Sequence, residues 1–431
     1  MTKSRIIPAI ALAVAISLGS VPEPAVSQIP TVTLEEAVAL AMEHSPTIIQ
    51  AEGDIRIAQA TKRQSVSDWL PTLSASSGWS ANSTNRFDAQ TQRTVTGSAT
   101  SVNGSLTARY TLFDGFRRNA QGRARSADLV STEATYTSQE FQISLQTKQT
   151  FFSALAADEL VRVSETRIQR AERQLQVSRD RLAAGSAIRS DTLQSFVELA
   201  NARLQLINAQ TQRSTASATL AQLIGYDTEV RAVADESIEF IVDIDTSLIR
   251  AEALERGPQI EQVIAAASAA DAQVSVSRSD YFPTVTAQYS RSVAGAELDN
   301  LRASWSGRIS LSWNIFSGFS RETNLLQSRV RQETAQARIA DTRRQINAQT
   351  TQQFAALRSA AIRIDIAGAS LAAATEALRV QQQRYRLGAA TIVEVMNSQV
   401  NVDQAEVDGV QARLDYFLAK AQIEAIVGRT I

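Results

Sequence analysis

The sequence predicts a mostly α-helical chain with a small transmembrane β part, arranged as a duplicated helix-hairpin-helix repeat. Three observations carry this expectation. The chain repeats its own motifs at a nearly fixed distance, each copy contains stretches that alternate apolar and polar residues, and long runs of Ala, Gln, Arg and Glu fill the remainder. Of 431 residues, 44% are hydrophobic and only 6% aromatic, a balance closer to long helices than to an α/β enzyme.

The N-terminus reads as an address. Lys3 and Arg5 precede an apolar run from Ile6 to Gly19, then come Pro22, Pro24 and the small residues Ala25 and Ser27. Residues 1–27 are expected to be a removed export signal, because the apolar run falls short of the ~20 residues a spanning helix needs. The chain has no cysteine, which excludes a disulfide scaffold, thiol catalysis and a Cys-ligated metal. A net charge of −1 offers no basic stripe for a nucleic acid.

The two copies are expected over residues 28–226 and 247–431. "HSPTI" around Pro46 returns as "RGPQI" around Pro258, and "WLPTL" as "YFPTV", both after 212 residues. Further on, "LFDGF" returns as "IFSGF" and Gly185 as Gly388, now after 203 residues. The second copy therefore lacks nine residues between Pro283 and Phe316, which marks a loop. Between the copies, residues 227–246 hold seven acidic residues and one Arg and read as an irregular connector.

Strands are expected at about 72–80, 102–113, 284–293 and 304–316. The last alternates completely: Trp305, Gly307, Ile309, Leu311, Trp313 and Ile315 on one face, Ser, Arg and Asn on the other. A polar face of this kind suits a water-filled lumen. All four tryptophans, Trp69, Trp79, Trp305 and Trp313, lie in or beside the strands, as an aromatic girdle would place them. Four strands cannot close a barrel, and lipid leaves an open edge unpaired. The chain is thus expected to oligomerise, with eight, twelve or sixteen strands for two, three or four copies.

The helical runs suggest a conduit. Ser320 to Arg384 covers 65 residues, which at about 1.5 Å per residue would reach roughly 97 Å. Phe354, Leu357, Ala361, Ile364, Gly368, Leu371, Thr375 and Leu378 form an expected heptad seam. His44, the only histidine, is read as a helix C-cap. No phosphate loop or metal-spaced acid cluster supports an enzyme or a bound cofactor.

"TLEEAVALAMEHSPTI", "WLPTLSASSGW", the pair "LFDGF" and "IFSGF", and "YRLGAATIVEVMNSQ" resemble, in order and interval, the TolC-type outer membrane efflux family. The resemblance covers nearly all of the chain after the export signal. It implies a homotrimer with a twelve-stranded barrel in outer membrane lipid, continuous with a long periplasmic α-helical barrel belted by the connector. It also implies an exit duct for a tripartite efflux pump or type I secretion. The partners would be a periplasmic adaptor (membrane fusion protein) and an inner membrane transporter of RND or ABC type. A soluble periplasmic coiled-coil adaptor is the rival reading; it explains the helices but not the strands.

In that family the Gly-centred turns are the periplasmic tips. The resemblance assigns adaptor docking to Arg181, Leu182, Gly185, Arg386, Leu387 and Gly388, and the periplasmic gate to Tyr385, Asp191, Glu394 and Asn397. Asp191 and Glu394 would form acid rings that favour cations; on a lone helix each would be an ordinary dipole partner in the first turn. Asn397 stands where the family has a second acid, and Ala390 where it has an Arg. Arg189 and Arg386 are the candidates to replace that Arg.

Overall fold

A computed structural model describes residues 29–88, 90, 92–234 and 245–431. The expected export signal and the middle of the acidic connector lie outside these residues. Each copy opens with two helices meeting at a proline: α1 Leu34–His44 and α2 Pro46–Ser67, then α5 Thr246–Arg256 and α6 Pro258–Arg278. Thr33 starts α1 through a reciprocal capping box with Glu36. Pro46 and Pro258 occupy first-turn positions, where a missing N–H costs nothing and the chain can change direction. Each proline thus divides the opening helical segment of its copy in two.

Four strands follow: β2 Thr72–Asp88, β3 Arg93–Phe113, β5 Thr284–Gly295 and β6 Arg302–Ser312, hydrogen-bonded in the order β2-β3-β5-β6 with every pair antiparallel. The two hairpins thus join through β3 and β5 into one sheet. The first hairpin runs well beyond the expected bounds, to Asp88 and back from Arg93. Its outward face explains the excess: Leu73, Ala75 and Trp79 give way to Ala81, Ser83 and Asn85. The lipid-type stretch matches the sequence expectation, and a more polar ribbon extends past it. β6 instead ends earlier than expected, at Ser312, and Trp313 Nε1 donates to the Tyr281 carbonyl (3.3 Å) beyond the last strand pair.

At each "F-x-G-F" corner the chain turns from strand to helix through two successive left-handed residues. Gly115 and Phe116 have φ +69° and +66°, Gly318 and Phe319 have φ +59° and +65°. A Cβ on Gly115 would lie 2.6 Å from Phe282 Cβ, so that glycine is required both for its backbone and for close approach.

The long helices come in two hairpins: α3 Arg117–Ala183 with α4 Arg189–Ile224, and α7 Ser320–Arg386 with α8 Ile392–Val427. Near their middle, two apolar clusters bind them to the short helices. One gathers Val32, Ala37, Ala41, Phe151, Phe152, Leu220 and Ile224; the other Ile249, Ile260, Ile346, Leu357, Tyr416 and Ile423. Phe152 stacks on Phe417 (centroids 4.7 Å) and links the two. The described start of the connector is irregular apart from one short strand. Its β4 strand, Arg231–Ala232, pairs in parallel with β1, Thr31–Val32, and Arg231 reaches Asp158 Oδ2 on α3 at 2.8 Å.

The expected seam on α7 holds at Phe354, Leu357, Ala361, Ile364, Leu371 and Leu378, which are buried or half-buried against the core; it fails at Gly368 and Thr375, which are exposed, while the neighbouring Ala360 and Ala367 are buried. His44 is the last residue of α1, with Ser45 at the C-cap position the sequence assigned to the histidine; its Nδ1 lies 3.0 Å from the Leu40 carbonyl and its ring fills the space left by Gly225. Among the described residues no helix is long and apolar enough to cross a membrane.

Candidate functional site

The two Gly-centred turns lie side by side at the far end from the sheet, and they are built alike. Gly185 and Gly388 adopt φ +71° and +78°. The following N–H groups bond five residues back, Ser186 to the Arg181 carbonyl (2.9 Å) and Ala389 to the Arg384 carbonyl (2.8 Å), which is the Schellman closure of a helix end. In each turn the arginine guanidinium returns to its own loop: Arg181 Nη2 donates to the Ser186 carbonyl (2.7 Å), Arg384 Nη2 to the Ala389 carbonyl (3.1 Å).

What joins the turns is Tyr385. It comes from the end of α7, yet its side chain is 1% exposed, sunk against α3 and α4. Its hydroxyl donates to Asp191 Oδ2 at 3.1 Å and lies 3.4 Å from Ser178 Oγ, which in turn pairs with Ser195 Oγ at 2.9 Å. Arg181 lies over the ring, 4.3 Å from its centroid, and donates to the Tyr385 carbonyl. Ile392, Val395, Leu378 and Val177 complete the apolar packing. Burial is the largest influence on the phenol and raises its pKa above 10.0, keeping it a donor at neutral pH.

The sequence-derived residues thus divide. Tyr385, Asp191 and Arg181 meet; Glu394 and Asn397 do not join them. Glu394 serves its own helix, its Oε2 accepting the Thr391 N–H (2.9 Å) in a capping box, as the dipole-partner reading held. Arg189 and Arg386 are exposed at the turns. Arg181, expected only as a docking residue, is the one that clamps Tyr385. Leu182, Arg386, Leu387 and Gly388 lie exposed on the tip surface, with Gly185 beside them. The tryptophans divide by level: Trp79 and Trp305 lie within strands, while Trp313 lies just past β6 and Trp69 just past α2, under the Arg118 guanidinium at 4.4 Å.

Sequence reasoning missed a charged cluster above the tip. Arg170 holds Asp403 Oδ1 and Glu406 Oε2, both at 2.7 Å, and Arg167 holds Glu198 at 2.8 Å and Asp403 Oδ2 at 3.0 Å. Burial raises the Asp403 pKa against the opposing pull of Arg170 and Arg167. The cluster ties α3 to both α4 and α8. Its one sequence signal is matched spacing, two arginines three apart on α3 facing two acids three apart on α8. Among the described residues no group of acids or histidine is placed to hold a metal ion.

Comparison with known proteins matches this geometry. The family model described as "Outer membrane efflux protein" fits residues 37–226 and 249–429, one segment per repeat. Protein CyaE of Bordetella pertussis is 26% identical, over 93% of this chain and 83% of its own. The pyoverdine export outer membrane protein OpmQ of Pseudomonas aeruginosa is also 26% identical, over 92% of this chain and 83% of its own. The crystal structure of a membrane protein from Pseudomonas aeruginosa superimposes with a TM-score of 0.81 at 20% identity, covering 93% of this chain and 91% of that one. With both repeats matched in full order, the chain belongs to the outer membrane efflux protein family.

Proposed function

We propose that three copies of this chain assemble into one duct, each giving four strands to a shared barrel and its helices to a tunnel below. The chain is an outer membrane channel of the efflux and secretion class; the trimer, its gate and its partners are our reading. The observation that carries it is the sheet. Among the described residues both edge strands, β2 and β6, lack a second neighbour, while Leu73, Trp79, Trp305, Ile309 and Leu311 are each about 70% exposed on one face. Such a sheet is stable only when its edges meet other strands and its apolar face meets lipid.

The helices support the same assembly. On α4, Val197 and Leu204 are 55% and 60% exposed; their repeat equivalents on α8, Val400 and Val407, are 54% and 38%. Apolar residues at heptad spacing with nothing over them in the chain are seams for neighbouring helices. A soluble adaptor would have no use for the lipid-type sheet.

In this duct the tip is the gate, held shut in each subunit by Tyr385 on Asp191, with Asp191 and Glu394 forming the acid rings. The exposed tip residues Leu182, Gly185, Arg386, Leu387 and Gly388, with the half-buried Arg181, receive a periplasmic adaptor, which links the duct to an inner membrane transporter of RND or ABC type. The duct performs no chemistry of its own. Outer membrane fractionation with a heat-sensitive trimer band on a denaturing gel tests the assembly; a monomer that stays soluble without detergent would refute it.

A further inference from the structure

The strands carry a charge pattern that the duct reading leaves unused. In register, Arg109 on β3, Gln288 on β5 and Arg308 on β6 form one row across three neighbouring strands. All three occupy the polar face, opposite to Leu73, Trp305, Ile309 and Leu311. Arg109 Nη2 donates to Gln288 Oε1 at 3.4 Å, and both arginines are exposed. Neither is paired with a carboxylate among the described residues. The sequence explains why: the four strands contain six arginines and a single acid, Asp88, which lies at the far end of the first hairpin.

We infer that Arg109 and Arg308 form a guanidinium collar on the luminal wall of the barrel, and that this collar binds anionic, carboxylate-rich cargo as it leaves. The inference rests on the trimeric duct proposed above, which places the polar face inward and sets six guanidinium groups around one ring. Unpaired guanidinium groups on a polar wall are matched chemically by carboxylates, which each can take through two parallel N–H donors. Gln288 between them supplies both a donor and an acceptor, so it can hold the neighbouring guanidinium while its amide N–H faces cargo. A confined ring of one sign also concentrates the opposite sign from solution. The acid tip and the basic collar thus set opposite fields at the two ends of the path. A cargo passing both must shed cations from its carboxylates at the collar.

Purified trimers in planar bilayers test this, with hexaglutamate as the anionic probe and hexalysine as its cationic counterpart. Hexaglutamate is expected to block the wild-type current, and Arg109→Gln with Arg308→Gln to raise the concentration for half-block about tenfold or more. The Arg109→Lys, Arg308→Lys variant is expected to keep most of the block, which separates charge from damage to the sheet; an intact trimer band checks assembly for both variants. Equal block of wild type and the Gln variant, or equal block by hexalysine, would overturn the collar while leaving the duct. Absence of conductance in both the wild type and the tip-opened Tyr385→Phe variant would instead remove the duct, and the collar with it.

Discussion

Replacing Tyr385 by Phe isolates the bond that, in the proposed gate, holds the tip closed. The change removes one hydroxyl, which donates to Asp191 Oδ2 at 3.1 Å, and leaves the buried ring and its contact with Arg181. A hydrogen bond to a charged acceptor contributes about 1.5–3 kcal/mol. If the closed tip makes it and the open tip does not, its loss shifts the closed-to-open ratio about ten- to a hundredfold per subunit, since about 1.4 kcal/mol is one decade. Single-channel recording of open probability reads this directly, and sensitivity of cells to a large antibiotic reads it in vivo. The sign of the pH dependence follows from the phenol. Its pKa is raised from 10.0 by burial, so the latch is intact below pH 10 and its contribution falls as pH rises from there toward the raised value. Conductance should be level from about pH 6 to 9 and climb only above about 10. An open probability unchanged in Tyr385→Phe but raised in Tyr385→Ala would refute the reasoning, showing that ring packing and not the hydroxyl holds the tip.

Three further perturbations are graded by the structure. Gly185→Ala meets no atom within 4 Å and pays only for φ +71°, about 1 kcal/mol; Gly225→Ala adds a Cβ 2.7 Å from His44 Cγ at φ +80°, for about 2–5 kcal/mol in all, so trimer melting should drop far more in the second. Arg170→Ala leaves Asp403 and Glu406, with side chains 11% and 18% exposed, short of a partner; a loss of about 3–5 kcal/mol should show as a lower trimer melting temperature, which Arg170→Lys partly restores. Asp191→Ala with Glu394→Ala should reduce cation preference in bilayer reversal potentials, and an unchanged potential would reject the acid rings.

Much of the architecture was legible in the sequence because two periodicities are hard to confuse. Complete alternation from Ser304 to Ile315 marked β6, though the strand itself stops at Ser312, and an unbroken helical run fixed α7 to within two residues of its observed end at Arg386. The failures have local causes. On α7, Ala367 and Gly368 are adjacent, so two neighbouring seam positions looked equally small and apolar; only contact with the facing helices decides between them. The extension of β2 and β3 was hidden because its outward face turns polar after Trp79. At the tip, motif matching found Tyr385 and Asp191, yet the partner Arg181 lies 204 residues from the tyrosine carbonyl it binds. That pairing depends on how two hairpins stack, which no local pattern records. The cluster around Arg170 escaped for the same reason.

The repeat itself bears on how the latch is built. Tyr385 corresponds to Leu182 in the first copy, and Asp191 to Glu394 in the second; Leu182 is exposed and Glu394 is spent on its own helix. Donor and acceptor sit at different places in the repeat: the second copy supplies the phenol and the first the carboxylate, and the reciprocal pair is missing because Leu182 has no hydroxyl. Each subunit therefore carries a single such bond across its two hairpins, although the turns that hold it are built alike. Restoring likeness there, for instance with Tyr385→Leu, would return the molecule to an unlocked pipe with its scaffold intact.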